Sequence, residues 1–163
     1  MRLFVAIKTD RTLNAALKNV SSSLKLFGNG SFCGEDMYHI TLAFIGESDR
    51  LAEIKAVLDG VNVSPFDISL EGIGSFGSTY YVAVTPTTVL CDMQRELCKR
   101  LRKQGFDIEN RPFKPHITLA RRYKADMSPF VFVPQATQKV TEITLFESTC
   151  GVYKPLYSKK LNT

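Results

Sequence analysis

The sequence predicts an α+β fold, in which one compact unit of mainly antiparallel sheet is made of two related halves. Strand-like segments are interrupted by only a few helical ones and do not follow the strict β-α-β-α order of parallel sheets. The chain also matches itself at a fixed offset, and both of its histidines, His39 and His116, lie in the same phrase, His-x-Thr-Leu-Ala. These observations predict a single domain spanning residues 1–163, with an internal duplication.

The self-match has an offset of 77 residues and extends beyond the histidine phrases. It aligns the apolar segment 4–7 with 81–84 and Gly28 with Gly105. Three pairs of apolar helical positions also align, namely Leu13 with Leu90, Val20 with Leu97 and Leu24 with Leu101. The alternative is two generic β-α-β passages that share a residue pattern. Because strand, glycine and histidine all keep one register, we favour duplication.

In the first half, apolar runs and helical spacing predict two strands and two helices. In order, we expect a strand at 2–8, a helix at about 12–27, a glycine-bearing loop at 29–36, a strand at 38–46 and a short helix ending at 58. Gly28 and Gly60 are predicted to stop the helices, and Ser48 or Asp49 to cap the second one.

The second half repeats this order with additional strands. We expect a strand at 66–70, a glycine-bearing loop at 71–78, a strand at 79–85, a helix from 86–88 to about 104, and strands at 115–121, 140–147 and 156–161. Gly105 ends the long helix, as Gly28 does in the first half.

The composition is that of a globular protein with a mildly basic surface. Hydrophobic residues make up 44% of the chain, charged residues make up 23%, and the net charge is +5. A basic surface suits an anionic partner such as nucleic acid. No apolar run reaches the roughly 18 residues of a membrane span, and the apolar start is interpreted as a buried strand rather than a signal peptide. Four cysteines without a Cys-x-x-Cys pair predict reduced thiols and a cytoplasmic protein.

Both histidine phrases lie on predicted strands, where successive side chains point to opposite faces. One face of each strand is expected to be polar, and the other to pack on the helix of the same half. In the first strand the polar face is predicted to carry His39, Thr41 and Ala43, and the apolar face to carry Ile40, Leu42 and Phe44. In the second strand the polar face is predicted to carry His116, Thr118 and Ala120, and the apolar face to carry Ile117 and Leu119. If a pseudo-twofold axis relates the halves, both polar faces meet in one cleft.

Two imidazoles and two hydroxyls facing one cleft suit in-line displacement at a phosphate. One imidazole takes a proton from attacking water while the other protonates the departing ribose oxygen. Thr41 and Thr118 can donate hydrogen bonds to the non-bridging oxygens, and Arg121 can offset their charge if the strand end curls inward. We expect no metal or other cofactor, because two histidines without an acidic cluster make a poor zinc or magnesium site.

These residues also have purely structural interpretations. A single His-x-Thr on a strand is usually a histidine satisfied at a sheet edge, whereas two copies that use every histidine of the chain favour catalysis. Phe76, Phe113 and Tyr123 can stack on a base, but each can equally fill the core.

Several phrases carry a resemblance to a known family. They are Met1–Ile7, His39–Glu47, Gly72–Phe76, Phe113–Arg121 and Phe146–Ser148. Through them nearly the whole chain resembles the two-histidine phosphoesterase superfamily, and within it the bacterial and archaeal RNA 2′,3′-cyclic phosphodiesterases, also named 2′-5′ RNA ligases. One departure is that the stretch 33–38 lacks the Arg- and Trp-bearing phrase common in that family.

The resemblance implies a bilobal fold, with two antiparallel sheets flanked by helices and a central cleft of pseudo-twofold symmetry. It also implies that the substrates are RNA ends or nucleotides bearing a 2′,3′-cyclic phosphate, which is opened to a 2′-phosphate. The implied roles are proton donor for His39, proton acceptor for His116, and phosphate binding for Thr41, Thr118 and Arg121. From their positions in a glycine-bearing loop and beside the second motif, Phe76 and Phe113 are expected to contact the substrate.

Two other functions are compatible with the same residues. The first is the reverse reaction, in which a 5′-hydroxyl replaces water and RNA ends are joined through a 2′-5′ linkage. The second is a non-catalytic RNA or nucleotide binder, against which the presence of both proton carriers argues. We expect a monomer that acts on RNA ends and has no membrane partner.

Overall fold

The computed structural model describes residues 1–126 and 129–162, which form three α-helices and nine β-strands. The helices are α1 (Arg11–Phe27), α2 (Leu51–Asp59) and α3 (Thr88–Lys103). The strands are β1 (Arg2–Lys8), β2 (Gly28–Phe32), β3 (His39–Glu47), β4 (Phe66–Phe76), β5 (Thr79–Val84), β6 (His116–Ala125), β7 (Thr137–Val140), β8 (Glu142–Thr149) and β9 (Val152–Lys160). A 3₁₀ turn at Glu35–Met37 precedes β3.

The strands form two antiparallel sheets whose orders correspond. The first sheet runs β3-β1-β8-β9, and the second runs β2-β6-β5-β4-β7. The His-x-Thr strand β3 lies beside β1 in the first sheet, and the His-x-Thr strand β6 lies beside β5 in the second. The sequence repeat aligns β1 with β5, so the two sheets correspond once the additional edge strand β2 is left out. The α+β prediction with two antiparallel sheets is therefore confirmed.

The correspondence includes a shift in strand pairing. Thr41 lies opposite Ala6 in the first sheet, whereas Thr118 lies opposite Tyr81 in the second. The sequence repeat would place Ala83 opposite Thr118, so the pairing differs by two residues between the halves. A shift of two residues keeps every side chain on its face of the sheet.

The helices pack across the halves, which corrects the expectation that each covers the sheet of its own half. Helix α1 lies against β2, β6 and β7 of the second sheet, and α3 lies against β3 of the first. The hydroxyl of Tyr123 on β6 donates to the carbonyl of Leu24 on α1 at 2.7 Å. The reason is chain direction, because α1 leads directly into β2 at the edge of the second sheet.

Helix positions follow the sequence prediction closely. Both long helices begin with a side-chain cap, since Asp10 accepts from the amide of Leu13 at 2.9 Å and Thr87 accepts from that of Leu90 at 3.4 Å. Each buries an apolar stripe in the main core, which also takes in both sheets. Gly105 follows α3 with φ +90°, a conformation that glycine adopts at low cost. None of the helices in the described ranges is long and apolar enough to cross a membrane.

Three predicted segments differ in the structure. The expected loop 29–36 begins with β2, because Gly28 and Gly30 allow that backbone to lie close against β6. The expected loop 71–78 is mostly the second part of β4, which continues to Phe76 after an irregularity between Leu70 and Ile73. The region of the predicted strand 140–147 holds the end of β7 and most of β8, which belong to different sheets.

Candidate active site

The two His-x-Thr strands, β3 and β6, contact each other where the two sheets meet. Their histidines and threonines are all half-buried, with neither ring lost in the core. His116 and Arg121, both on β6, are close enough to His39 to lower its pKa. The structure therefore brings the two predicted acid–base groups and the predicted phosphate-binding arginine into one region.

Both motif strands contain an extra residue at equivalent leucines, Leu42 and Leu119. Where β3 pairs with β1, Ala43 lies opposite Val5 and Thr41 lies opposite Ala6, the next residue of β1. Leu42 has no residue opposite it and is the additional residue of β3. In β6, Ala120 and Thr118 stand opposite Tyr80 and Tyr81, which leaves Leu119 as the additional residue. Such a β-bulge bends the strand and changes which side chains share a face.

The bulges overturn part of the predicted alternation. Ala43 and Ala120, expected beside the histidines, are instead 4% and 0% exposed in the main core. Phe44, expected on the core face, is 62% exposed, and its ring lies 6.2 Å from that of Phe4 on the histidine side. Arg121 occupies the position equivalent to Phe44 and is likewise exposed, so the bulge at Leu119 accounts for its exposure.

Each imidazole is held by the backbone carbonyl two residues before it. Nδ1 of His39 donates to the carbonyl of Met37 at 2.7 Å, and Nδ1 of His116 donates to that of Lys114 at 2.6 Å. Since a carbonyl can only accept, these bonds fix the proton on Nδ1 in the neutral rings. In both rings Nε2 is then the atom that can exchange a proton with a substrate. Nε2 of His39 also lies 3.0 Å from the hydroxyl of Thr41.

Aromatic rings enclose both histidines. His39 packs against Phe4 and Tyr153 at ring-centroid distances of 5.1 Å and 5.2 Å. His116 packs against Phe76 and Tyr81 at 5.1 Å and 5.0 Å. Of these four rings, sequence reasoning selected only Phe76. The repeat carried a signal for two others, because it aligns Phe4 with Tyr81.

The remaining predicted aromatic residues pack with the main core. Tyr123 is 4% exposed and donates its hydroxyl to α1, so filling the core is the interpretation that the structure favours for it. Phe113 is half-buried and packs against the main apolar cluster. Its contact with substrate stays a prediction. Within the described ranges, no three side chains of the His, Cys, Asp or Glu types are grouped so that they could hold a metal ion.

The similarity of this chain to known proteins identifies its family. The sequence profile of the 2′-5′ RNA ligase superfamily matches residues 31–149, a span that contains both His-x-Thr strands. The chain belongs to this superfamily.

Relatives of known sequence carry a common name. A protein of Archaeoglobus fulgidus named RNA 2′,3′-cyclic phosphodiesterase is 33% identical in an alignment of 128 positions, which covers 74% of this chain and 72% of that protein. A protein of Methanocaldococcus jannaschii with the same name is 26% identical in an alignment of 170 positions, gaps included, which covers 96% of both chains.

Solved structures agree over almost the whole chain. Escherichia coli LigT complexed with 3′-AMP has a TM-score of 0.80 at 25% identity, covering 99% of this chain and 98% of that one. A protein of Thermus thermophilus has a TM-score of 0.85 at 24% identity with the same coverage, which shows the fold alone.

The turn before His39 is held by contacts from two lysines. Lys8, opposite His39 in the sheet, donates to the carbonyl of Asp36 at 2.7 Å. Lys18 forms an ion pair with Glu35 at 3.2 Å. These contacts hold the 3₁₀ turn that supplies the carbonyl acceptor for His39. Lys8 was not selected from the sequence.

In this superfamily member the pKa of His39 is lower than that of an exposed histidine. Burial is the main cause, and the positive charges of Lys8, Arg121 and His116 act in the same direction. The hydrogen bond to Met37 opposes them only in part. The free protein therefore favours a neutral His39.

Acidification is expected to destabilise the fold through His39. Because the folded-state pKa lies below the unfolded value of about 6.5, the unfolded chain binds more protons as the pH falls past that value. The free energy of unfolding should therefore decrease from about pH 7 to about pH 5, by at most about 1.4 kcal/mol per pH unit from this group. Urea denaturation of the wild type and of His39→Gln at both pH values measures the effect. An equally steep decrease in the two proteins would contradict it.

Proposed function

We propose that this protein is an RNA 2′,3′-cyclic phosphodiesterase, which opens a terminal 2′,3′-cyclic phosphate to leave a 2′-phosphate. The observation that carries the proposal is the pair of His-x-Thr strands, whose imidazoles are both held through Nδ1 and keep Nε2 for the substrate. The name shared by the relatives in Archaeoglobus fulgidus and Methanocaldococcus jannaschii supports it.

In the proposed reaction, Nε2 of His116 takes a proton from water as the water oxygen attacks phosphorus. The bond between phosphorus and the 3′ oxygen breaks, and protonated His39 gives its Nε2 proton to that oxygen. The products are a 2′-phosphate and a 3′-hydroxyl. Proton exchange with solvent then returns both histidines to their starting states.

The donor role of His39 agrees with its environment. A histidine of lowered pKa is a stronger acid, although less of it is protonated in the free protein. The negative charge of a bound cyclic phosphate favours protonation of the ring beside it. The positive charges of Lys8, Arg121 and His116, which disfavour protonation of His39 in the free protein, are then partly offset by the negative charge of the phosphate.

The phosphate is proposed to lie between the two threonines and Arg121. The hydroxyls of Thr41 and Thr118 donate to the non-bridging oxygens, and the guanidinium offsets the charge that develops on them. The exposed ring of Phe76, packed on Tyr81 at 4.5 Å, provides a surface on which a base can stack. Phe113, half-buried against the core three residues before His116, is proposed as a further substrate contact.

The proposal is tested with an oligoribonucleotide that ends in a 2′,3′-cyclic phosphate. We expect one product with a 2′-phosphate, formed at the same rate with and without a chelator, because the proton carriers are both side chains of this chain. Chromatography against 2′- and 3′-phosphate standards identifies the product. A 3′-phosphate product, an unchanged substrate or a loss of activity with chelator would contradict the proposal.

Joining of RNA ends is the second candidate, supported by the name of the superfamily. It requires only that a 5′-hydroxyl occupy the position of the attacking water. Since water is in large excess, hydrolysis should dominate. Adding an RNA with a 5′-hydroxyl to the same assay separates the two outcomes, because ligation lengthens the substrate whereas hydrolysis does not.

The protein is further proposed to act as a monomer in the cytoplasm. Both His-x-Thr strands come from one chain, so the proposed site needs no second copy. All four cysteines, Cys33, Cys91, Cys98 and Cys150, are free, which suits a reducing compartment.

A further inference from the structure

The carbonyl of the additional residue in each motif strand needs a hydrogen-bond donor, and the two halves of the protein supply that donor in different ways. β3 is an edge strand of its sheet, with β1 on one side and no strand of the described chain on the other. Leu42, the additional residue, is 2% exposed. A buried carbonyl at such a position needs a hydrogen-bond donor from another element, since a carbonyl that is buried without a partner destabilises the fold.

In the second motif strand the neighbouring backbone supplies the donor. The carbonyl of Leu119 accepts from the amide of Cys33 at 2.8 Å, directly after β2. β2 has no equivalent beside β3, because the first sheet ends there. The bulge carbonyl of β3 must therefore be satisfied by side chains.

Helix α3 provides these side chains from the other half of the protein. The amide nitrogen Nε2 of Gln94 donates to the carbonyl of Leu42 at 3.2 Å. The thiol of Cys98, one turn further along α3, lies 3.6 Å from the same oxygen, and Nε2 of Gln94 is also 3.2 Å from its sulfur. The amide is the stronger donor, because a thiol donates only weakly.

We propose that Gln94 is a positioning residue for the catalytic His39, acting through the bulge at Leu42. Gln94 fixes the Leu42 carbonyl, and Leu42 directly follows Thr41, whose hydroxyl lies 3.0 Å from Nε2 of His39. A displaced bulge would turn Thr41 and the ring of His39 away from the substrate. This inference rests on the proposed function, and it links α3 of one half to the reacting group of the other.

The test compares two variants of α3 that loosen its packing in different ways. Gln94→Met keeps the length of the side chain but removes the donor, whereas Leu90→Val trims a buried residue of the same helix and leaves the donor in place. We expect Gln94→Met to reduce kcat about tenfold with KM changed less than about twofold, since small displacements of a reacting group are costly. Leu90→Val should keep kcat within about twofold of the wild type while its urea-unfolding midpoint decreases, because the trimmed side chain leaves a small cavity.

A second measurement reports on His39 itself. The chain has only two histidines, so imidazole ¹H–¹⁵N spectra are simple, and His39→Gln assigns the signals. In Gln94→Met the pKa of His39 should rise towards its ordinary value as the ring loses its burial and its contact with Thr41. In Leu90→Val it should stay that of the wild type.

The outcomes separate this inference from the function on which it rests. A wild-type protein without activity on cyclic phosphate ends would overturn both. An active wild type together with a Gln94→Met variant of unchanged kcat, or with an unchanged His39 titration, would overturn the role of Gln94 alone. Equal losses of kcat in Gln94→Met and Leu90→Val would also overturn it, because the effect would then follow from stability.

Discussion

Replacing either histidine with alanine is expected to reduce turnover of a 2′,3′-cyclic phosphate by about 10²–10⁴-fold. Each imidazole is held by its own backbone carbonyl, so that neither can move to replace the other. Loss of His116 removes the group that activates water, and loss of His39 removes the proton donor for the departing oxygen. Single-turnover rates with a cyclic-ended oligonucleotide measure both effects.

Binding distinguishes loss of chemistry from loss of the fold. Thr41, Thr118 and Arg121 remain in both histidine variants, so each should still bind a 2′-phosphorylated product in calorimetry. Full turnover by either variant would defeat the catalytic interpretation. A variant that binds no product and unfolds at lower temperature would instead indicate a structural histidine.

Replacing Arg121 with methionine is expected to reduce kcat/KM by about 10²–10³-fold, the usual cost of removing one donor to a developing oxyanion. The bulge at Leu119 places this guanidinium on the histidine side of β6, near enough to act on the pKa values of both His39 and Cys33. Arg121→Lys should recover only part of the loss, because an ammonium cannot bind two oxygens through a planar fork. Steady-state kinetics with the cyclic-ended oligonucleotide measure both variants.

The next residue provides a matched control. Arg122 is also exposed and carries the same charge, but its φ of 52° turns the backbone after Arg121. Arg122→Met should keep kcat/KM within about threefold of the wild type at moderate salt, where long-range charge effects are screened. Similar losses at the two positions would mean that net charge, rather than placement in the cleft, explains the effect.

The sequence was sufficient for most of the strands and for the long helices, and it carried the repeated phrase that selects both histidines. Their signals are local, since apolar spacing defines a helix and a repeated phrase marks equivalent strands. The sequence could not predict that each long helix covers the sheet of the other half, because α1 shows the same apolar stripe whichever sheet it covers.

The bulge at Leu42 explains the incorrect assignment of Ala43 and Phe44 to faces, and the bulge at Leu119 explains that of Ala120. Alternation predicts faces only for a regular strand, and one additional residue reverses every assignment after it. The missed strand β2 has a related cause. Gly28 and Gly30 indicate a loop in sequence, yet a Cβ on Gly28 would lie 2.3 Å from the carbonyl oxygen of Lys124, so glycine is what lets this strand approach β6.

The crossed helices have a consequence for how the protein unfolds. A fragment cut at the repeat offset of 77 residues would hold β1 to β4 with α1 but would lack β6 and β7, against which α1 lies. The other fragment would hold α3 but would lack β3, its partner in the first sheet. Neither fragment can fully cover the apolar stripe of its own long helix, so we expect the two halves to unfold together in one cooperative transition.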